Sequence, residues 1–211
     1  GESTPERPCD RTTYLVLEDR EFTDFELHLE FRIVGGNSGI QFRSHERAPL
    51  DVGGYQADLE DGPNWTGCLY EQYGRGVVAR RGEEVVLGAS GLREGRAIPG
   101  GAKLLEHVKE HEWNDYTVRA VGRTIELSVN GHLMTRVLDE TAEASLSGLR
   151  ALQLHSGPPM KVEYRNIRVQ EYEAAKQGLE SPIEATLVPH WIWGDDSPKA
   201  GQKVTFTRGF E

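Results

Sequence analysis

A chain of 211 residues with 37% hydrophobic content is long enough for one sandwich-sized core. Its net charge of −10 excludes the basic stripe that a nucleic-acid partner demands, and it suits neutral ligands such as sugars. No run approaches the ~18 apolar residues of a membrane span, and no signal peptide is visible; because the first residue is Gly1 and not Met, removal of an upstream segment is expected.

In chain order, strand signals dominate. A first strand is predicted over 13–17. Phe25 to Ile33 then alternates apolar and polar residues with a clean period of two, and 39–44 repeats the pattern after a Gly-Gly-Asn-Ser turn. Further strands are predicted over 54–59, 67–71, 76–79, 84–87, 115–121, 123–129, 131–137, 148–155 and 160–170. Gly122-Arg123 and Asn130-Gly131 supply tight turns, Asn-Gly being the stronger hairpin signal. In the last strand, Val162 and Tyr164 are in phase while Ile167 and Val169 are one residue out, which a bulge at Arg165-Asn166 repairs. Two short helices are expected, over 103–111 and 171–178. Short strands at this spacing predict an all-β, antiparallel sandwich or jelly roll.

The character of the chain changes near residue 174. One jelly-roll domain over 1–172, a linker over 173–182 and the start of a truncated second β-sandwich over 183–211 are expected. The competing reading is a C-terminal strand pair packed back on the first domain. Cys9 and Cys68 are compatible with one disulfide or with two free thiols.

Strand parity sorts the polar residues. With Phe25, Leu27, Leu29, Phe31 and Ile33 facing the core, Glu26, His28, Glu30 and Arg32 face outward. Ile40 and Phe42 likewise leave Gln41 and Arg43 on the other face; Tyr55, Ala57 and Leu59 oppose Gln56 and Asp58; Leu152 and Leu154 oppose Gln153 and His155. On the concave side of a curved sandwich, such a row of amides and carboxylates matches the hydroxyls of an elongated sugar. The bland alternative is a solvated outer face.

Eight ordered motifs then stand out: Asp24-Phe-Glu-Leu-His-Leu-Glu-Phe, Gly36-Asn-Ser-Gly-Ile-Gln-Phe-Arg43, Gly54-Tyr-Gln-Ala-Asp58, Gly67-Cys-Leu-Tyr-Glu71, Glu112-Trp-Asn114, Val129-Asn-Gly131, Leu152-Gln-Leu-His155 and Tyr164-Arg-Asn-Ile167. Together, over roughly residues 10–172, they resemble the 3-keto-disaccharide hydrolase family. The resemblance implies a concanavalin-A-like jelly roll related to lectins and glucanases. It also implies a bacterial protein, secreted or periplasmic, with an earlier strand preceding Gly1. The tail from Trp191 more weakly resembles the first strands of a galactose-binding-like sandwich, so further domains of a longer chain are expected as partners.

The implied chemistry is cleavage of glycosides oxidised at C3. The ketone acidifies the C2 hydrogen, a base removes it, the C1 substituent leaves and water adds. One base and a stabiliser of the enolate oxygen are needed, not the two carboxylates of ordinary glycosidases. Gln56-Ala-Asp58-Leu-Glu60 places glutamine where a glucanase on this fold would carry its nucleophile, which disfavours an oxocarbenium route.

His155 is assigned the base, because imidazole titrates near neutrality; the competing reading is a structural histidine. Arg43 is assigned the enolate oxygen, against a salt bridge to Asp58 or Glu71. Glu71 is assigned proton donation or metal binding, against an edge carboxylate. Gln41, Gln56, Asp58, Gln153 and Tyr55 are assigned to substrate binding. No cofactor is assigned with certainty; a divalent metal that polarises the ketone directly is the candidate. Asp51, Asp58, Glu60 and Asp61 form a candidate cation cluster, against an acidic turn. His107 and His111 read as a solvated helix face, and Asn64-Trp-Thr66 as a glycosylation sequon only where the source glycosylates. The alternative function is a noncatalytic carbohydrate-binding module, marked by an exposed aromatic platform such as Trp65 or Tyr73.

Overall fold

The computed structural model describes residues 1–49, 51–172, 183–188 and 203–206. Sixteen strands occur among them: β1 (Glu2–Ser3), β2 (Thr13–Phe22), β3 (Phe25–Val34), β4 (Asn37–Ala48), β5 (Asp51–Glu60), β6 (Leu69–Gln72), β7 (Gly76–Ala79), β8 (Glu83–Leu87), β9 (Arg93–Ala97), β10 (Asn114–Val121), β11 (Thr124–Val129), β12 (His132–Asp139), β13 (Gly148–Leu154), β14 (Met160–Glu171), β15 (Ile183–Val188) and β16 (Lys203–Phe206). They form two eight-stranded sheets. The first runs β1-β14-β3-β10-β11-β12-β8-β9 and the second β16-β15-β2-β13-β4-β5-β6-β7. Every pairing is antiparallel except β12 with β8. This is the jelly-roll sandwich that the alternation predicts.

The period-two pattern becomes burial directly. Along β3 each odd-numbered residue from Phe25 to Ile33 is buried and each even one from Glu26 to Arg32 only half-buried. Leu27, Leu29 and Phe31, with Tyr116 and Val118 of β10, face Ile40 and Phe42 of β4 and Tyr55, Ala57 and Leu59 of β5 in one core. Phe25 meets Phe42 edge-on at 6.1 Å across the gap between the sheets, and Phe42 stacks on Tyr55 at 5.8 Å. Each such side chain contributes roughly 1.5–3 kcal/mol of burial free energy. The outer face of the first sheet is the solvated ladder of charges that the bland reading expects: Arg136 pairs with Glu126 at 2.7 Å, Arg32 with Glu163 at 2.7 Å and Arg165 with Glu30 at 2.5 Å.

Turn chemistry also follows the sequence. Asn130 and Gly131 both take positive φ, 50° and 77°, as a type I′ hairpin requires. The bulge expected at Arg165-Asn166 is present as a register shift between Arg165 and Arg168, with Asn166 at φ 53°.

Four features differ from expectation or fall outside it. Strand β9, Arg-Glu-Gly-Arg-Ala, has no apolar alternation and is fully exposed; it is strand only through its pairing with β8. The helix expected over 103–111 is a 3₁₀ turn, Gly101–His107. The helix expected over 171–178 does not start at Glu171, which ends β14; its remainder from 173, the linker over 173–182 and most of 183–211, Trp191 included, lie outside the described residues. The two described strands of that last stretch join the second sheet, β15 pairing with β2 and β16 with β15. Cys9 and Cys68 are both free thiols. No helix among the described residues is long and apolar enough to cross a membrane.

Candidate functional site

The outer face of the second sheet is unlike that of the first. From Ser38 to Ser44 every residue of β4 is buried, and from Val52 to Leu59 every residue of β5. The polar side chains on this face are therefore withdrawn from water, Gln41 at 0%, Gln153 at 2%, Gln56 and Asp58 at 3% exposure. Tyr14, Val16, Val52 and Ala151 form a small apolar cluster of their own, with Leu149 packed against it. A solvated face does not bury four polar residues side by side.

Register brings them together. β4 sets Gln41 opposite Gln56 and Gly39 opposite Asp58, and β13 sets Ala151 opposite Gln41 and Gln153 opposite Tyr14. The amides then form a relay. Gln41 Nε2 donates to Gln56 Oε1 at 2.6 Å, Gln153 Nε2 donates to the same oxygen at 2.8 Å, and Gln56 Nε2 donates to Asp58 Oδ1 at 2.7 Å. Ser44 Oγ donates to Gln41 Oε1 at 2.8 Å, and Gln153 Nε2 also reaches the Tyr14 hydroxyl at 3.3 Å. Gly39 makes the room: a Cβ there would lie 2.4 Å from Gln56 Cδ. On the neighbouring strand Tyr70 stands opposite Gln56, and Trp65 meets it edge-on at 6.3 Å; both are half-buried and form a side wall.

Burial sets the electrostatics. It pushes the Asp58 carboxyl up to about 7, against the hydrogen bonds from Gln56 and Asn37 that favour its charge; Glu60 adds a smaller push in the same upward direction. Burial likewise pushes the Tyr14 phenol up to about 12. The face therefore carries a carboxyl able to take or give a proton near neutrality.

Of the residues assigned from sequence, Gln41, Gln56, Asp58 and Gln153 stand together in this floor. Tyr55 does not: it points into the core, and its hydroxyl donates to Asp139 Oδ2 at 2.5 Å. Glu71 pairs with Tyr55 across β5 and β6 and so shares the inner face, where Arg75 Nε donates to it at 2.5 Å. Arg75 continues to Asp139 at 2.7 Å and to the Tyr55 hydroxyl at 3.1 Å. Burial alone would raise the Asp139 carboxyl, but hydrogen bonds from Arg75, Thr141 and Tyr55 outweigh it and hold it below the usual carboxylate range.

Arg43 is turned away by a bulge. The β4–β5 register shifts between Phe42 and His45, and Arg43 takes the left-handed conformation at φ 46°. Its guanidinium donates to the Thr23 carbonyl at 2.9 Å, the Gly122 carbonyl at 2.7 Å and Asp24 at 3.1 Å, so its salt bridge is with Asp24 and not with Asp58 or Glu71. His155 lies one residue past the end of β13, exposed, with Nδ1 at 2.5 Å from the Ser156 carbonyl oxygen. The bonded partners of His155, Arg43 and Glu71 form three separate groups. Simple parity missed the bulge, the inner-face register of β6 and the end of β13. It also missed Tyr14 and Ser44, whose place in the floor depends on register that one sequence does not reveal.

The candidate cation cluster disperses. Asp51 faces Arg47 at 3.7 Å, Glu60 accepts backbone N–H groups from Asn64 and Trp65, and Asp61 accepts the Gly35 N–H at 2.7 Å. Among the described residues, Asp61, Glu110 and His111 place three potential ligand atoms within 4.8 Å of one another, Asp61 half-buried and the other two exposed. A cavity of about 50 Å³ lined by Thr13, Tyr14, Leu152, Gln153, Leu154 and Tyr164 has room for a water or two and no sugar ring.

Comparison with known proteins is consistent with the fold. The carbohydrate-binding module CBM66 from Bacillus subtilis superposes with a TM-score of 0.51 at 14% identity, over 80% of this chain and 89% of that one. A Parabacteroides distasonis protein named for glycosyl hydrolase activity gives a TM-score of 0.48 at 17% identity, over 77% and 84%. No protein of curated function matches the sequence. The description "3-keto-alpha-glucoside-1,2-lyase-like domain" matches residues 2–170, and the chain belongs to that family.

Proposed function

We propose that this domain cleaves 3-keto glycosides by removing the C2 proton, with Asp58 as the base. Family membership supports the substrate class, and the single observation that supports the mechanism is a buried carboxyl held near neutrality at the end of an amide relay. The ionised Asp58 takes the proton from C2, the electron pair of that C–H bond forms the enolate, re-formation of the ketone expels the C1 oxygen with its bonding pair, and the proton held by Asp58 returns, directly or through water, to that oxygen. The products are an unsaturated ketone and the freed alcohol; water added back at C1 completes hydrolysis. The Gln56 Nε2–H, donating to Oδ1, fixes which carboxylate oxygen is left for the proton. Gln41 positions Gln56 from the far side.

The test is turnover of methyl 3-keto-α-glucoside, with and without added Mn²⁺ or Ca²⁺. Cleavage is expected, with kcat/KM rising with pH to a plateau above about 7, as the Asp58 carboxyl ionises. Asp58→Asn is expected to lower kcat at least ~100-fold. Absence of cleavage under both metal conditions overturns the reading. A noncatalytic carbohydrate-binding role has one observation in its favour, the 58% exposed Tyr73 beside the β6–β7 turn; binding of the sugar without any cleavage establishes that role instead.

A further inference from the structure

We propose that the free carbonyl oxygen of Gln153 is a subsite for a ligand hydroxyl, so that the sugar sets an O–H, and not its ketone, against β13. The inference rests on the reading that the domain acts on 3-keto glycosides, and it fixes how such a sugar is oriented.

The relay determines which end of Gln153 is free. Gln56 has its amide nitrogen committed to Asp58 at 2.7 Å, so its Oε1 must be the atom turned toward Gln41 and Gln153. That oxygen receives N–H groups from both. Turning the Gln153 amide over would set its oxygen against Gln56 Oε1, two acceptors in contact, and would forfeit both of its Nε2 hydrogen bonds. Gln153 Oε1 is therefore the acceptor left over. It is buried and has no hydrogen-bond partner, in a side chain that is 2% exposed.

An unmatched buried acceptor costs ~1–3 kcal/mol, and buried amides are otherwise matched almost without exception. The other amide atoms of this relay carry donors or acceptors, so the orphan is confined to one atom. That atom accepts only. A hydroxyl satisfies it; a ketone oxygen, which has no hydrogen, leaves it as it was. Gln153 Nε2 reaches the Tyr14 hydroxyl at 3.3 Å, and both residues line the cavity of about 50 Å³, which has room for a hydroxyl.

The experiment measures kcat/KM for methyl 3-keto-α-glucoside and for its 2-, 4- and 6-deoxy and deoxyfluoro analogues, on the wild-type protein and on Gln153→Met. One deoxy analogue is expected to lose about tenfold on wild type, the equivalent of one neutral hydrogen bond. Its fluoro counterpart, which accepts but cannot donate, is expected to lose as much. In Gln153→Met that discrimination is expected to shrink to within about twofold, whereas a merely structural glutamine would lower all substrates alike. Restoration of activity by fluorine, or equal losses on every analogue in the variant, overturns the proposal. The wild-type fluoro comparison decides even where Gln153→Met does not fold. Failure of the wild type to process the parent sugar overturns the functional reading itself, a result separate from failure of the Gln153 assignment.

Discussion

Asp58 carries opposite consequences for turnover and for stability. Its folded-state carboxyl is raised to about 7 from a usual 3.8, so the folded protein keeps a proton that the unfolded chain has released. The contribution of Asp58 to stability is therefore greatest below about pH 4, falls as pH rises from about 4 to about 7, and levels off above that. Within this window the slope is on the order of 1.4 kcal/mol per pH unit. Urea unfolding at about pH 5 and about pH 8 checks this: Asp58→Asn, which cannot titrate, should lose less stability between the two conditions than wild type. Equal losses would show that the carboxyl is not held in its neutral form. His155 gives a contrasting expectation. It is exposed at the strand end with a neighbouring carbonyl oxygen as its bonded contact, so His155→Ala should leave kcat/KM on methyl 3-keto-α-glucoside within about twofold of wild type. A loss of a hundredfold would return the base to His155.

The strands explain which parts of the site were readable from sequence. Gln41, Gln56, Asp58 and Gln153 sit in regular segments of β4, β5 and β13, where a period of two assigns faces without error. Arg43 is two residues beyond Gln41 on the same strand, yet the bulge after Phe42 reverses it toward the β2–β3 and β10–β11 turns. Nothing in Phe-Arg-Ser-His announces a left-handed residue, so parity was bound to fail there. Arg43 clamps both turns at once, and Asp24 in turn accepts the Gly122 N–H at 2.8 Å. Arg43→Met should thus cost about 3–5 kcal/mol in urea unfolding, the scale of breaking a buried ion pair; a cost below about 1 kcal/mol would contradict a clamp. Gly39 shows the opposite case, a substitution small in size and local in effect. Gly39→Ala drives a methyl into Gln56, so kcat should fall as the relay shifts, with Asp58 losing its oriented donor.

At the scale of the whole molecule, alternation predicted the sandwich because burial of one face per strand is what forms it. It could not show that β4 and β5 of the second sheet are buried on both faces, since Gln and Asp read the same whether water or protein covers them. The contrast between the sheets makes a prediction about what holds the protein together. The first sheet's outer face is a ladder of half-exposed ion pairs, worth little each and screened by salt. Cohesion between the sheets instead comes from contacts such as Phe25 on Phe42, both at 1% exposure or less. Raising NaCl from about 0.05 M to about 0.5 M should therefore shift the unfolding free energy by less than about 1 kcal/mol, although it shortens the Debye length severalfold. Phe42→Ala should cost about 3–5 kcal/mol at either salt concentration, by opening a cavity between the sheets. A stability that collapses in salt while tolerating Phe42→Ala would move the weight from the core to the charged face. The expected result leaves the second sheet clamped from within by its aromatic residues, which is the rigid support the amide relay on its other face needs to hold Asp58 in place.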